Sequence, residues 1–126
     1  MKLLKEFQAI FLDFDGVIKD SVEIKSNAFE QLFLPFGDIV ANRVRMHHED
    51  HTGMSRFDKL PIYLQWAGLP ISTSLMDEFS NNFSLLVKRN VINSPWVDGL
   101  LNFLNYPHDG QLFFLVTATP QLEIEE

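Results

Sequence analysis

The 126-residue chain contains no cysteine, which excludes disulfides and thiolate chemistry. Basic residues are also scarce: ten Lys and Arg stand against 17 Asp and Glu, for a formal charge of −7. Non-specific DNA or RNA binding needs clustered cations, so no nucleic-acid partner is expected. An anionic small molecule remains open as substrate, because a bound metal and local donors override net charge. No apolar run approaches the roughly 18 residues of a membrane helix, and no membrane partner is expected. The N-terminal MKLLKEFQAIFLDFDG carries two lysines and an apolar run. Acidic residues interrupt it and no small-residue cleavage site follows, so it does not read as a signal peptide. A cytoplasmic location is the resulting expectation. Repeats and low-complexity tracts are lacking as well.

What the chain does have is apolar material: 46% of residues are hydrophobic and twelve are Phe, enough for the core of one domain. Residues 8–14, QAIFLDF, read as a buried strand running into a loop, with Gly16 allowing the turn. Ser21 precedes a helical pattern in which Ala28, Phe29, Leu32 and Phe33 share a face, ended by Pro35 and Gly37. Residues 38–54 read as polar and less regular. Residues 55–66 suggest a helix strained by Pro61. Ser74 with Asp77 resembles a capping box opening a helix to about Asn90, with Leu75, Phe79, Phe83 and Leu86 as its apolar stripe. After a connection at Asn93-Ser94-Pro95, a short helix is expected over 97–105 and a second buried strand over 112–117, LFFLVT. Thr119 is the expected N-cap of a last helix beginning at Pro120, where Glu123, Glu125 and Glu126 suit the positive end. Two fully apolar strands favour a parallel sheet covered on both faces. Trp66 and Trp96 read as packing residues.

The chemistry-bearing segment is Phe11-Leu12-Asp13-Phe14-Asp15-Gly16-Val17, continuing to Asp20 and Ser21. Carboxylates at i and i+2 beyond an apolar strand project to one side if the strand geometry persists. There they can share a metal or divide nucleophilic and acid/base work. The string DFDGVIKDS resembles the first signature of the haloacid dehalogenase superfamily. Phe113 to Pro120, FFLVTATP, resembles its second, an apolar strand ending in Thr or Ser. Gly53-Met54-Ser55-Arg56 with Lys59 resembles the substrate-facing cap loop of members whose helical cap lies between those signatures, the phosphatase and β-phosphoglucomutase-like subgroup. For Ser55, Arg56 and Lys59 an exposed polar surface is the even alternative.

The resemblance implies an α/β fold: a Rossmann-like core with a parallel sheet, incomplete here, and an inserted α-helical cap. Residues 1–20 would carry the first strand and catalytic loop, 21–92 the cap, and 93–126 a core helix and the second strand. It implies a Mg²⁺-dependent phosphatase of small phosphorylated metabolites, such as a sugar phosphate or phosphoglycolate. Asp13 would be the nucleophile that forms an aspartyl-phosphate, and Asp15 the acid/base. Mg²⁺ would bridge Asp13, the backbone carbonyl of Asp15 and a phosphate oxygen. Thr117 and the Ala118 N–H would bind the transferring group, and Gly53, Ser55, Arg56 and Lys59 would face the substrate. A sugar-phosphate mutase and a catalytically dead binding module are the alternatives.

The family's later Lys and acidic metal motif find no counterpart. The chain ends nine residues after Thr117, and no Lys or Arg follows Arg89. The expectation is a truncated chain, inactive or nearly so by itself. His47, His48 and His51 include a one-turn pair but have no cysteine to complete a metal set, so they read as a polar surface segment.

Overall fold

A computed structural model describes residues 3–126. It is a mixed α/β chain in the order β1 (Ala9–Leu12), α1 (Val22–Phe33), α2 (Asp38–Asp50), α3 (Arg56–Trp66), α4 (Thr73–Ile92), α5 (Leu100–Asn105), β2 (Leu112–Leu115) and α6 (Gln121–Ile124). Short 3₁₀ turns occupy Leu3–Glu6 and Leu34–Phe36. None of the described helices is long and apolar enough to cross a membrane.

The core lies among α1–α4. Phe29 and Phe33 of α1 meet Phe83 and Phe79 of α4, with ring centroids 4.1 and 5.2 Å apart. Tyr63 of α3 packs edge-on against both α1 rings at 5.5 and 5.7 Å. Leu60, Leu64, Val44 and Val87 close the cluster, all fully buried or nearly so. Each such side chain contributes about 1.5–3 kcal/mol by leaving water, so the aromatic cluster dominates the stability of this part of the chain.

Several local expectations are corrected by this packing. Residues 38–50 are a regular helix despite their polar look, because Ala41, Val44 and His48 recur on one buried face. Outside that face, Arg45 pairs with Glu23, Glu30 and Glu49. Helix α4 is capped two residues earlier than the Ser74 signal: Ser72 is the N-cap, its Oγ accepting the Leu75 N–H at 3.2 Å. The buried stripe is Phe79, Phe83 and Val87, a spacing of four, which turns Leu86 outward to 37% exposure. Pro61 is accommodated inside α3. The helix expected over 97–105 starts only at Leu100, because Gly99 occupies the left-handed region at φ 85°. The last helix is capped at Pro120 and not at Thr119, whose hydroxyl has another partner.

β1 and β2 pair in parallel with Ala9 opposite Leu112 and Leu12 opposite Leu115. The sheet is parallel as expected, but it is not covered on both faces. Every residue of β2 is exposed, and Phe11 is 66% exposed while stacking on Phe114 at 5.0 Å. With two strands and a single short helix, α5, presenting Phe103 to Phe113, few side chains are at hand to cover the apolar strands. Trp96 is likewise half exposed, and the Lys19 ammonium sits over its ring at 4.0 Å.

Two connections run side by side between the sheet and the helices. The Lys19 Nζ donates to the carbonyls of Ile92 and Ser94 at 3.0 and 2.9 Å. The Asp20 N–H donates to Pro95 and the Val97 N–H to Ile18. These bonds fix the loop after β1 against the exit of α4, and so fix the sheet end against the helical cluster.

Candidate functional site

The register of the sheet places the two signature segments side by side. Val116 N–H donates to the Leu12 carbonyl at 2.8 Å, so the residues following β2 leave the sheet next to those following β1. Asp13 comes first on one side and Thr117 on the other. The β1 exit folds back tightly: the Phe14 carbonyl accepts from Ile18 and Lys19. Gly16 makes the bend at φ 76°, where a Cβ would sit 3.1 Å from the Val22 methyl.

Asp13 keeps an exposed carboxylate, which accepts the neighbouring Phe14 N–H at 2.7 Å. Asp15 is half-buried and fully engaged. Its Oδ1 accepts from the Ser21 hydroxyl at 2.6 Å and its Oδ2 from the Lys25 ammonium at 2.5 Å. Lys25 also donates to Thr119 Oγ1 at 3.0 Å, so one ammonium joins the two signature segments. Thr117 Oγ1 accepts the Thr119 N–H at 3.1 Å, which shapes the turn around Ala118.

Asp13, Asp15, Thr117 and Ala118 line one cavity of about 400 Å³, whose opposite wall carries Gly53, Arg56 and Lys59 from the helical part. Seven of the eight site residues expected from sequence therefore share a cavity. The eighth, Ser55, does not line it and instead caps α3, its Oγ accepting the Phe57 N–H at 3.2 Å. Arg56 and Lys59 are not the exposed surface that was the alternative for them, since both are buried. Arg56 is held by Glu123 through two 2.7 Å bonds and by Ser84 at 2.7 Å, over the ring of Phe83.

The histidine segment is also corrected. His48 is only 4% exposed, and its Nδ1 stands 2.9 Å from the Lys59 ammonium. Burial, then the Lys59 charge, pushes His48 down to about 3, so the ring is neutral and Nδ1 is the acceptor. Burial, then Lys25, lowers Lys59 to about 8, and Asp15 opposes that shift. His47 and His51 stack on each other at 4.1 Å, and His47 Nδ1 meets the Tyr63 hydroxyl at 2.9 Å. Burial lowers His47 as well, followed by the charge of His51. The three imidazoles are thus divided between separate partners. Among the described residues no group of three or more His, Cys, Asp or Glu side chains is arranged to hold a metal.

Magnesium, which the resemblance implies, takes oxygen ligands and retains several waters, so a protein supplies it with one or two carboxylates. The Asp13 carboxylate fits that role, being exposed at the cavity and bonded only within its own turn. The Asp15 carboxylate does not, because Ser21 and Lys25 occupy both its oxygens. The chain therefore fits a hydrated cation held at one carboxylate.

Three residues were not singled out from sequence for this site: Lys25 and His48, which line the cavity, and Glu123, which holds Arg56. Lys25 had a readable signal, standing one helical turn beyond Ser21 and so on the face turned to the Asp15 loop. His48 and Glu123 had none, since their partners lie 11 and 67 residues away. No protein-family model matches the chain, and no curated protein matches it.

Proposed function

We propose that this chain belongs to a Mg²⁺-dependent phosphoryl-transfer hydrolase of the haloacid dehalogenase type, acting on small phosphorylated metabolites. In this reading β1 and β2 belong to the core sheet, and residues 21–92 form the cap over the active site. The observation that carries it is the convergence of Asp13, Asp15, Thr117 and Ala118 on one cavity faced by buried cap cations.

Asp13 is the nucleophile. Its exposed carboxylate attacks phosphorus and expels the alcohol, giving an aspartyl-phosphate that water then hydrolyses. Asp15 is the acid/base, two residues on and anchored by Ser21 and Lys25. It enters the cycle protonated, gives that proton to the leaving alkoxide, and regains one from the water that attacks the aspartyl-phosphate. Thr117 and the Ala118 N–H donate to the phosphoryl oxygens, where charge accumulates. Asp13 and the main-chain carbonyl of Asp15 would hold magnesium, which would neutralise charge on the transferring group.

The test is a trapped complex. Beryllofluoride mimics a phosphoryl group on a carboxylate, and ¹⁹F NMR should show a bound signal that requires both Mg²⁺ and Asp13. Asp13→Asn should abolish it. A signal that survives this substitution, or no signal from the unaltered chain, refutes the nucleophile assignment.

A further inference from the structure

Helix α2 ends in a pair of imidazoles one turn apart. His47 and His51 stack with ring centroids 4.1 Å apart and planes 15° from parallel. Positions i and i+4 share a helix face, so both rings leave α2 on the same side. The pair lines an open groove between α2 and Trp66 of α3, outside the Asp13 cavity. Of the three neighbouring histidines only His48 lines that cavity.

Each ring has one nitrogen tied to the protein. His51 Nδ1 is 2.9 Å from the His47 carbonyl, which only accepts, so Nδ1 carries the proton. In the neutral ring the Nε2 of His51 therefore keeps its lone pair. His47 Nδ1 stands 2.9 Å from the Tyr63 hydroxyl, whose oxygen can accept from it. Tyr63 is fully buried, and Trp66 meets His47 edge-on at 5.5 Å, so the His47 ring is held in place. Neither Nε2 has a hydrogen-bond partner among the described residues. No buried side-chain nitrogen or oxygen among them lacks a partner, so the unbonded Nε2 of His47 reaches water, as does that of the exposed His51. An imidazole with its Nδ1–H fixed by an oxygen and its Nε2 open is prepared as a metal ligand.

Charge in the groove favours a cation. Asp38 and Asp50 line it against one guanidinium, that of Arg43, which lies over the Trp66 ring at 3.9 Å. The Asp50 carboxylate has no hydrogen bond or ion pair among the described residues, and its charge acts on His47. We propose that His47 and His51 chelate a divalent transition-metal ion through their Nε2 atoms, with water completing the coordination shell. Two nitrogens on one such ion, each about 2.0–2.1 Å from it, sit roughly 3 Å apart. Rings 4.1 Å apart reach that spacing by a small tilt. A two-nitrogen chelate asks for no third protein ligand. Imidazole selects Zn²⁺, Ni²⁺ or Cu²⁺ over Mg²⁺, which takes oxygen, so this ion is chemically distinct from one at Asp13. The chelate clamps the last turn of α2, and the next residues in sequence, Thr52 and Gly53, line the Asp13 cavity.

The experiment is calorimetric titration of the untagged full chain with Ni²⁺, in excess Mg²⁺, at about pH 7.5, where an ordinary histidine is mostly neutral. One ion per chain should bind. Loss of a group that merely orients a ligand costs about 10–100-fold in metal affinity, so loss of a ligand costs at least about tenfold. His51→Asn alters an exposed side chain and should weaken Ni²⁺ by that amount or more. His47→Gln, folded by circular dichroism, should do the same, and His51→Asn decides the matter if it does not fold. Asp13→Asn should bind Ni²⁺ as the parent does. Absence of Ni²⁺ binding, or binding that His51→Asn leaves unchanged, overturns the chelate. Full affinity in a folded His47→Gln reduces the site to one ligand and overturns it equally. Weakened binding in Asp13→Asn, or displacement of Ni²⁺ by Mg²⁺, places the ion in the other cavity and overturns it as well.

Discussion

Arg56 and Glu123 form a two-pronged ion pair across 67 residues of sequence, with Nη1 to Oε1 and Nη2 to Oε2 both at 2.7 Å. It joins α3 of the helical cluster to α6, the four-residue helix that follows the second signature. The Arg56 side chain is 5% exposed and that of Glu123 19%. Ser84 of α4 contacts both, so three elements meet at one guanidinium. Arg56 also lines the cavity, so the pair ties α6, which follows the Thr117–Ala118 turn, to a cavity wall.

Glu123→Gln should leave the guanidinium buried without its counter-charge. Removing one partner from such a pair costs about 1–3 kcal/mol where the pair is partly open to water. The expected result is a lower urea midpoint at an unchanged slope. A variant as stable as the parent would show that the pair does not hold α6.

The buried titratable groups give the stability a defined pH dependence. His48 has a native pKa of about 3 against 6.5 in the unfolded chain. Between those values the unfolded state binds more protons, so stability falls as pH falls through that window. Lys59 has a native value of about 8 against 10.5 unfolded. Over that range the unfolded state again holds more protons, so Lys59 makes stability rise with pH. Burial raises the Tyr63 phenol above its usual 10.0, so its contribution is lost as pH climbs past 10. Urea midpoints from pH 3 to 11 should therefore rise from the acid side, rise again between about 8 and 10, and then turn down. A decline beginning at pH 8 would contradict the lowered pKa of the buried Lys59.

Stability should also be unevenly distributed. The amides of Phe29, Tyr63 and Phe83 sit in helices whose side chains form the aromatic core, whereas β1 and β2 carry exposed side chains on a two-stranded sheet. Such a sheet is marginal by itself. Native-state hydrogen exchange should show the core helical amides protected at least about a hundredfold more than those of Phe11 and Phe114. Equal protection would mean that sheet and helices unfold as one unit.

The sequence by itself determined the local matters. The run AIFL before DFDG and the run LFFL before VTAT specified two strands, because apolar residues bounded by acids, Gly and Thr have few other uses. The spacing of Phe29 with Phe33 and of Phe79 with Phe83 specified two amphipathic helices. The signature strings also singled out Asp13, Asp15, Thr117 and Ala118, whose meeting follows from pairing two strands in parallel. Tertiary structure decided the rest. It turned the polar-looking 38–50 segment into a helix by giving Ala41, Val44 and His48 something to pack on. It withdrew Ser55 from the cavity into a cap, gave Arg56 to Glu123, and left Lys59 buried beside a neutral imidazole. Helical periodicity tells which face of an element is apolar. Which charge meets which across tens of residues depends on how the elements dock, and that is settled only when the core closes.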